Sequence, residues 1–165
     1  DTDVEVIRPL DPLLDAEFLI GYMWPCMLGT AVIGAAPHHP ILEALLEPYV
    51  GSDAHIDFGL PNNHLVTRHF IDRVPGFRLD GRAWEADGIR VLDRYGFEQP
   101  SLGRRRNYTL HHFTASWKGE SDLKRRVKST AIRVMGLYLY RQYICAKSLR
   151  HSALRTEYAR ARAAG

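Results

Sequence analysis

The chain has 165 residues, 45% of them hydrophobic and 25% charged, which excludes a disordered polymer and is enough to build one folded core. Its formal charge is only +3, but the acids lie mainly in the N-terminal part and Arg and Lys crowd after Gly103. Two cysteines, Cys26 and Cys145, exclude a disulfide framework and a cysteine-built zinc site and point to a reducing, cytoplasmic setting, and no window is apolar for long enough to span a membrane.

The first element predicted is a short strand at "VEVI" (Val4 to Ile7), stopped by Pro9 and followed by the turn-rich "PLDPLLD". "GTAVIGAA" has the small and β-branched residues of a buried strand. Pro37 and Pro40 then punctuate the chain. "ILEALLEPY" predicts a helix with Ile41, Leu42, Leu45 and Leu46 on its inner face, limited by Pro48. "PNNHLVTRHFIDRV" predicts a second helix, capped by Asn62 or Asn63 with Pro61 just ahead. "IRVLD" (Ile89 to Asp93) and "YTLHHF" (Tyr108 to Phe113) read as further strands. Strands alternating with helices, without internal repeats, define a mixed α/β class.

From Ser121 the pattern becomes helical. Leu123, Val127, Ala131, Val134, Tyr138, Cys145 and Leu149 recur at helical spacing, while Lys124, Arg125, Lys128, Lys147 and Arg150 project elsewhere and Arg141 interrupts the apolar stripe. Two readings fit this long basic amphipathic helix. It packs on the domain and keeps a solvated basic back, or it makes a peripheral contact with an anionic membrane surface. No nucleic acid is expected as a partner, because no recognised interleaving of aromatic and basic residues is present.

Two constellations carry chemistry. Asp1 and Asp3 stand at i and i+2, and if the chain turns there both can reach one hard cation, Mg²⁺ or Mn²⁺. In "YTLHHFTASW" two histidines leave a strand. An imidazole suits Mn²⁺, the Ser116 hydroxyl adds an oxygen, and the Trp117 indole N–H can donate to phosphate. His111 and His112 face opposite sides of a strand, so only one can meet a metal. "APHHP" (His38, His39) reads as a helix entry, and "GRRR" (Gly103 to Arg106) as either an anion site or a solvated loop. Trp24 and Trp84 are suited to sugar stacking or to core packing. No His-x-x-x-His is present, which argues against a zinc hydrolase.

"DTDVEVIRPLDPLL", "GTAVIGAAPHHPILEALLEPY", "GLPNNHLVT" and "YTLHHFTASW", in that order, resemble glycosyltransferase family 32, over roughly residues 1 to 117. The resemblance implies a GT-A fold whose nucleotide-binding strands would precede Asp1. The chain then reads as the C-terminal part of a catalytic domain (residues 1–120) with a basic helical extension (residues 121–165). It also implies a metal-dependent, retaining transferase, using Mn²⁺ or Mg²⁺, that moves a sugar from a UDP- or GDP-sugar donor to a glycan or lipid-linked acceptor. The expected place of work is the cytoplasm or the inner face of the membrane. By the resemblance Asp1, Asp3 and His112 hold the metal, with Asp3 the more direct ligand and Asp1 nearer the donor. Trp117 and Ser116 contact the donor, and Asn62, Asn63 and Thr67 lie near the sugar and acceptor cleft. The family's Gly-Pro is here interrupted by Leu60. With no carboxylate evident for a covalent intermediate, front-side attack assisted by the departing phosphate is the expected course. The alternative from another class is a non-catalytic module that binds an anionic surface through the basic helix.

Overall fold

The computed structural model describes residues 1–50, 62–113 and 122–165. β1 (Val4–Val6) stands outside the main sheet. That sheet has five strands: β2 (Phe18–Trp24), β3 (Met27–Leu28), β4 (Gly34–Ala35), β5 (Trp84–Ala86) and β6 (Ile89–Leu92). β7 (Thr109–His111) returns to β1 and forms a separate antiparallel ladder with it.

β2 is the axis of the molecule. On one edge it pairs in parallel with β6, and on the other it pairs antiparallel with β4 near its start and β3 near its end. Its side chains alternate between two covered faces. Phe18, Ile20 and Tyr22 enter the larger core, while Leu19 packs with Leu13 and Phe97 in a smaller one. Both faces being buried, "FLIGYMW" reads as one unbroken apolar run, as expected of a strand in a covered, parallel setting. Gly21 fits because an added Cβ would come within 3.0 Å of the Phe97 ring. β5 and β6 form a hairpin whose two turn residues, Asp87 (φ 49°) and Gly88 (φ 74°), are both left-handed, as the tight mirror-image turn requires.

Among the described residues, five α-helices complete the fold. α1 (Pro40–Leu46) opens on Pro40, with the His39 ring accepting from the Ile41 amide. α2 (Asn62–Arg73) places Val66 and Phe70 in the larger core, where Phe70 lies 5.9 Å from the Phe18 ring and edge-on to Phe77. Burying an aromatic of this kind stabilises the fold by roughly 2 kcal/mol. α3 (Arg94–Phe97) starts where the Asp93 carboxylate accepts from the Tyr95 amide. α4 (Asp122–His151) is interrupted at Gly136 (φ 78°, ψ 154°), and α5 (Arg155–Ala163) follows it. Leu149, Leu154 and Tyr158 join the larger core, so the end of the chain is integral to the domain.

The mixed α/β class and the long C-terminal helix agree with the sequence. Three readings change. Of the strand expected at "GTAVIGAA" only Gly34–Ala35 pairs, and the buried strand is β2 instead. Asn62 and Asn63 sit in the first turn of α2 rather than ahead of it as caps. The apolar stripe of α4 is also not continuous against the body. Cys145 is buried, but Leu123, Val127 and Val134 are exposed, and the interrupting Arg141 is itself buried. Ser121 lies outside the described residues.

Candidate metal centre

β1 and β7 bring the two constellations together. Val4 pairs with His111, and the His112 amide donates to the Asp3 carbonyl at 2.9 Å, so the turn holding Asp1 and Asp3 lies beside the end of β7. The Asp1 main-chain nitrogen donates to the Ala31 carbonyl (2.7 Å), and Asp1 Oδ1 accepts from the Thr2 amide. His111 Nε2 then lies 3.0 Å from Asp3 Oδ1 and 3.6 Å from Asp1 Oδ2. One ligand atom from each of Asp1, Asp3 and His111 falls within a sphere of mutual distances under 4.8 Å.

The other nitrogen of this ring is also committed. His111 Nδ1 lies 2.7 Å from Glu98 Oε2, and Glu98 is 1% exposed. With Nδ1–H donating to this buried carboxylate, Nε2 is the nitrogen that could ligate a cation held beside the two aspartates. This is the carboxylate–histidine arrangement that orients metal-binding imidazoles. Glu98 has room because residue 29 is glycine: a Cβ there would fall 2.0 Å from Glu98 Oε1. The ring is held from its face as well. Phe113 stacks on it at 3.9 Å and in turn stacks on Trp24, the last residue of β2. The cluster therefore lies toward the carboxyl end of β2, where open α/β sheets bind ligands.

Arg141 closes the site from α4. Its guanidinium lies 4.3 Å from the Phe113 ring centre, and Nη2 donates to the carbonyls of His112 (2.8 Å) and His111 (3.4 Å). Burial holds its pKa below the usual arginine value, with Tyr140, Cys145, Glu98 and Asp3 acting in the opposite direction. Three carboxylates (Asp1, Asp3, Glu98) thus surround the His111 ring, while the guanidinium hydrogen-bonds to backbone carbonyls, and a divalent cation would balance the clustered negative charge. Ligands at right angles on a cation of this class, each about 2.1 Å from it, lie roughly 3 Å apart. The separations of Nε2 from the two carboxylates match that spacing, and a mixed imidazole–carboxylate set suits Mn²⁺ better than Mg²⁺.

The sequence-derived residues divide as follows. Asp1 and Asp3 belong to the cluster. His112 does not: its Nε2 lies 3.1 Å from Glu5 Oε2 on the other face of the ladder, and the imidazole facing the aspartates is that of His111. Strand alternation separates the two neighbours. Thr67 is fully buried, with its hydroxyl donating to the Asn63 carbonyl and accepting from the Leu28 amide. Asn63 donates to Leu28 O and Thr30 Oγ1, which fixes the segment leading to Ala31, and Asn62 accepts from the Tyr49 hydroxyl. Ser116 and Trp117 lie outside the described residues. Arg104 pairs with Glu5 and Arg106 with Asp93, so two of the three arginines in "GRRR" are engaged within the chain. Trp84 packs edge-on against Phe77, and the His39 ring caps α1 as a helix entry should.

Glu98, Arg141 and Gly29 were missed by sequence reasoning. Glu98 has no spaced partner in "YGFEQP". Arg141 did give a signal, as the one charge inside an apolar stripe. Comparison of the chain with protein-family models, with curated protein sequences and with solved structures found no match. Among the described residues no helix is long and apolar enough to cross a membrane.

Proposed function

We propose that this chain carries the metal-binding part of a GT-A-type, retaining glycosyltransferase that moves a sugar from a UDP- or GDP-sugar donor to a glycan or lipid-linked acceptor. One observation carries the reading. The two motifs that resemble glycosyltransferase family 32 stand at opposite ends of the matched stretch, and the fold joins them in one cluster of Asp1, Asp3 and His111. Nothing in either motif alone requires that meeting.

Asp1, Asp3 and His111 would hold the divalent cation, which when bound neutralises charge on a leaving diphosphate and acts as a Lewis acid. The chain's own residues supply the rest. Glu98 fixes the tautomer and orientation of His111, and Phe113 restrains the ring from one face. Arg141 pins the backbone of both histidines. Ser116 and Trp117, outside the described residues, are assigned to donor binding by the family resemblance.

The test uses the gene product that contains this sequence, assayed for Mn²⁺-dependent hydrolysis across a panel of UDP- and GDP-sugars. Expected are activity with Mn²⁺, loss with a chelator, and loss of two to three orders of magnitude in Asp3→Ala and His111→Ala, a range typical of removing one preorganised electrostatic contact. His112→Ala should keep most of the activity. Hydrolysis that ignores Asp3→Ala and His111→Ala, or that inverts the anomer, would refute the assignment.

A further inference from the structure

We propose that the first arm of α4, residues 123–135, is a docking element for the surface of an anionic lipid bilayer. This inference does not rest on the transferase reading, since it concerns a different surface and a different ligand.

Leu123, Val127 and Val134 are 73%, 61% and 79% exposed, unusual values for three large aliphatic side chains on one helix. At 100° per residue they fall within about 40° of one another, with Thr130 and Ala131 beside them. Val127, Thr130, Ala131 and Val134, with Arg126 and Met135, line an open groove of about 490 Å³ along the arm. Cations border the stripe on both sides at the same spacing: Lys124 and Lys128 along one edge, Arg126 and Arg133 along the other. Lys128 also donates to the Phe113 carbonyl, which ties the arm to the body near the metal cluster. No Asp or Glu occurs from Leu123 to Thr156, so the one acid of α4 is Asp122, its first residue.

An apolar stripe with a basic border on each side selects its partner. Nucleic acid offers phosphates for the borders but no apolar phase for the stripe. An anionic bilayer offers both in the right places, with acyl chains under the stripe and phosphates level with the Lys and Arg heads. Gly136 adds the needed geometry. Its φ of 78° ends the run that packs on the body and lets the arm take its own direction.

The experiment is co-sedimentation of the purified chain with phosphatidylglycerol-rich vesicles and with neutral phosphatidylcholine vesicles. A fluorophore attached at Val134→Cys or Ser129→Cys serves as a depth probe, the native cysteines being buried. Expected are salt-sensitive binding to the anionic vesicles only, and a blue shift for a probe at position 134 but not at 129. Val127→Asp with Val134→Asp should abolish binding. Replacing Lys124, Arg126 and Arg133 by Gln should lower partitioning on the order of a hundredfold. All five positions are exposed, so far-ultraviolet circular dichroism should match the parent. No binding to the anionic vesicles, equal binding to neutral ones, or an unchanged Val127→Asp, Val134→Asp variant would overturn the proposal. Duplex DNA binding that survives that variant would assign the arm to nucleic acid instead.

Discussion

The cluster shows what one buried carboxylate does to its neighbours. Glu98 is enclosed, and the ring of His111 is its side-chain partner among the described residues. Replacing it by an amide keeps the shape but weakens the contact, because a neutral carbonyl oxygen accepts less strongly from Nδ1–H and the amide end can turn toward the ring. Glu98→Gln should therefore lower Mn²⁺ affinity by 10- to 100-fold, the range typical of residues that orient a metal-binding imidazole, with little change in the urea midpoint. Isothermal titration of Mn²⁺ beside urea unfolding checks this, and a fall in stability with unchanged affinity would make Glu98 a packing residue only. Two features of this residue-scale picture could be read in the sequence, and one could not. The spacing of Asp1 and Asp3 and the adjacency of His111 and His112 were visible. Which histidine faces inward depends on the register Val4 to His111, and no local pattern encodes a register between segments so far apart.

At the level of elements, punctuation was read well and burial poorly. Pro40, Pro48 and the apolar face gave α1, and "PNNHLVTRHFIDRV" gave α2, though not its asparagine caps. β2 was missed because "FLIGYMW" has no alternation; it is buried on both faces, and period-two reasoning finds only half-buried strands. The Asp-Gly pair between β5 and β6 was a legible hairpin signal that went unread. The C-terminal stripe was seen as one face, yet the structure divides it at Gly136. There an added Cβ would meet nothing within 4 Å, so packing does not demand glycine. The backbone does: φ 78° with ψ 154° is a region that glycine almost alone occupies. Gly136→Ala should cost about 1–3 kcal/mol in urea unfolding, or else convert the break into continuous helix with a rise in helical circular dichroism. A variant with unchanged stability and unchanged spectrum would show that the interruption carries no constraint.

For the whole molecule, binding of the proposed cation would be linked to the fold. The ligands come from the turn before β1 and from the end of β7, so they meet only when the β1–β7 ladder is closed. A cation that binds this state and not the open chain stabilises by mass action, about 2.7 kcal/mol at a hundredfold excess over its dissociation constant. In a domain of this length that should raise the thermal midpoint by roughly 5–10 °C. Differential scanning fluorimetry with Mn²⁺ and with a chelator should show the shift in the parent, a normal midpoint without it in Asp3→Ala, and an intact shift in His112→Ala. A shift that survives Asp3→Ala would place the cation elsewhere.

The ladder also bears on the order in which the molecule assembles. Glu5 and His112, which face each other across it, are 107 residues apart. Closing a loop of that length costs about 2 kcal/mol more entropy than closing one of roughly ten residues, so nearby hairpins and helices have the advantage early in folding. The carboxylates and the imidazole are thus strangers to each other until most of the chain is in place. A half-folded molecule would have no grip on the proposed cation, so possession of it would mark a finished one.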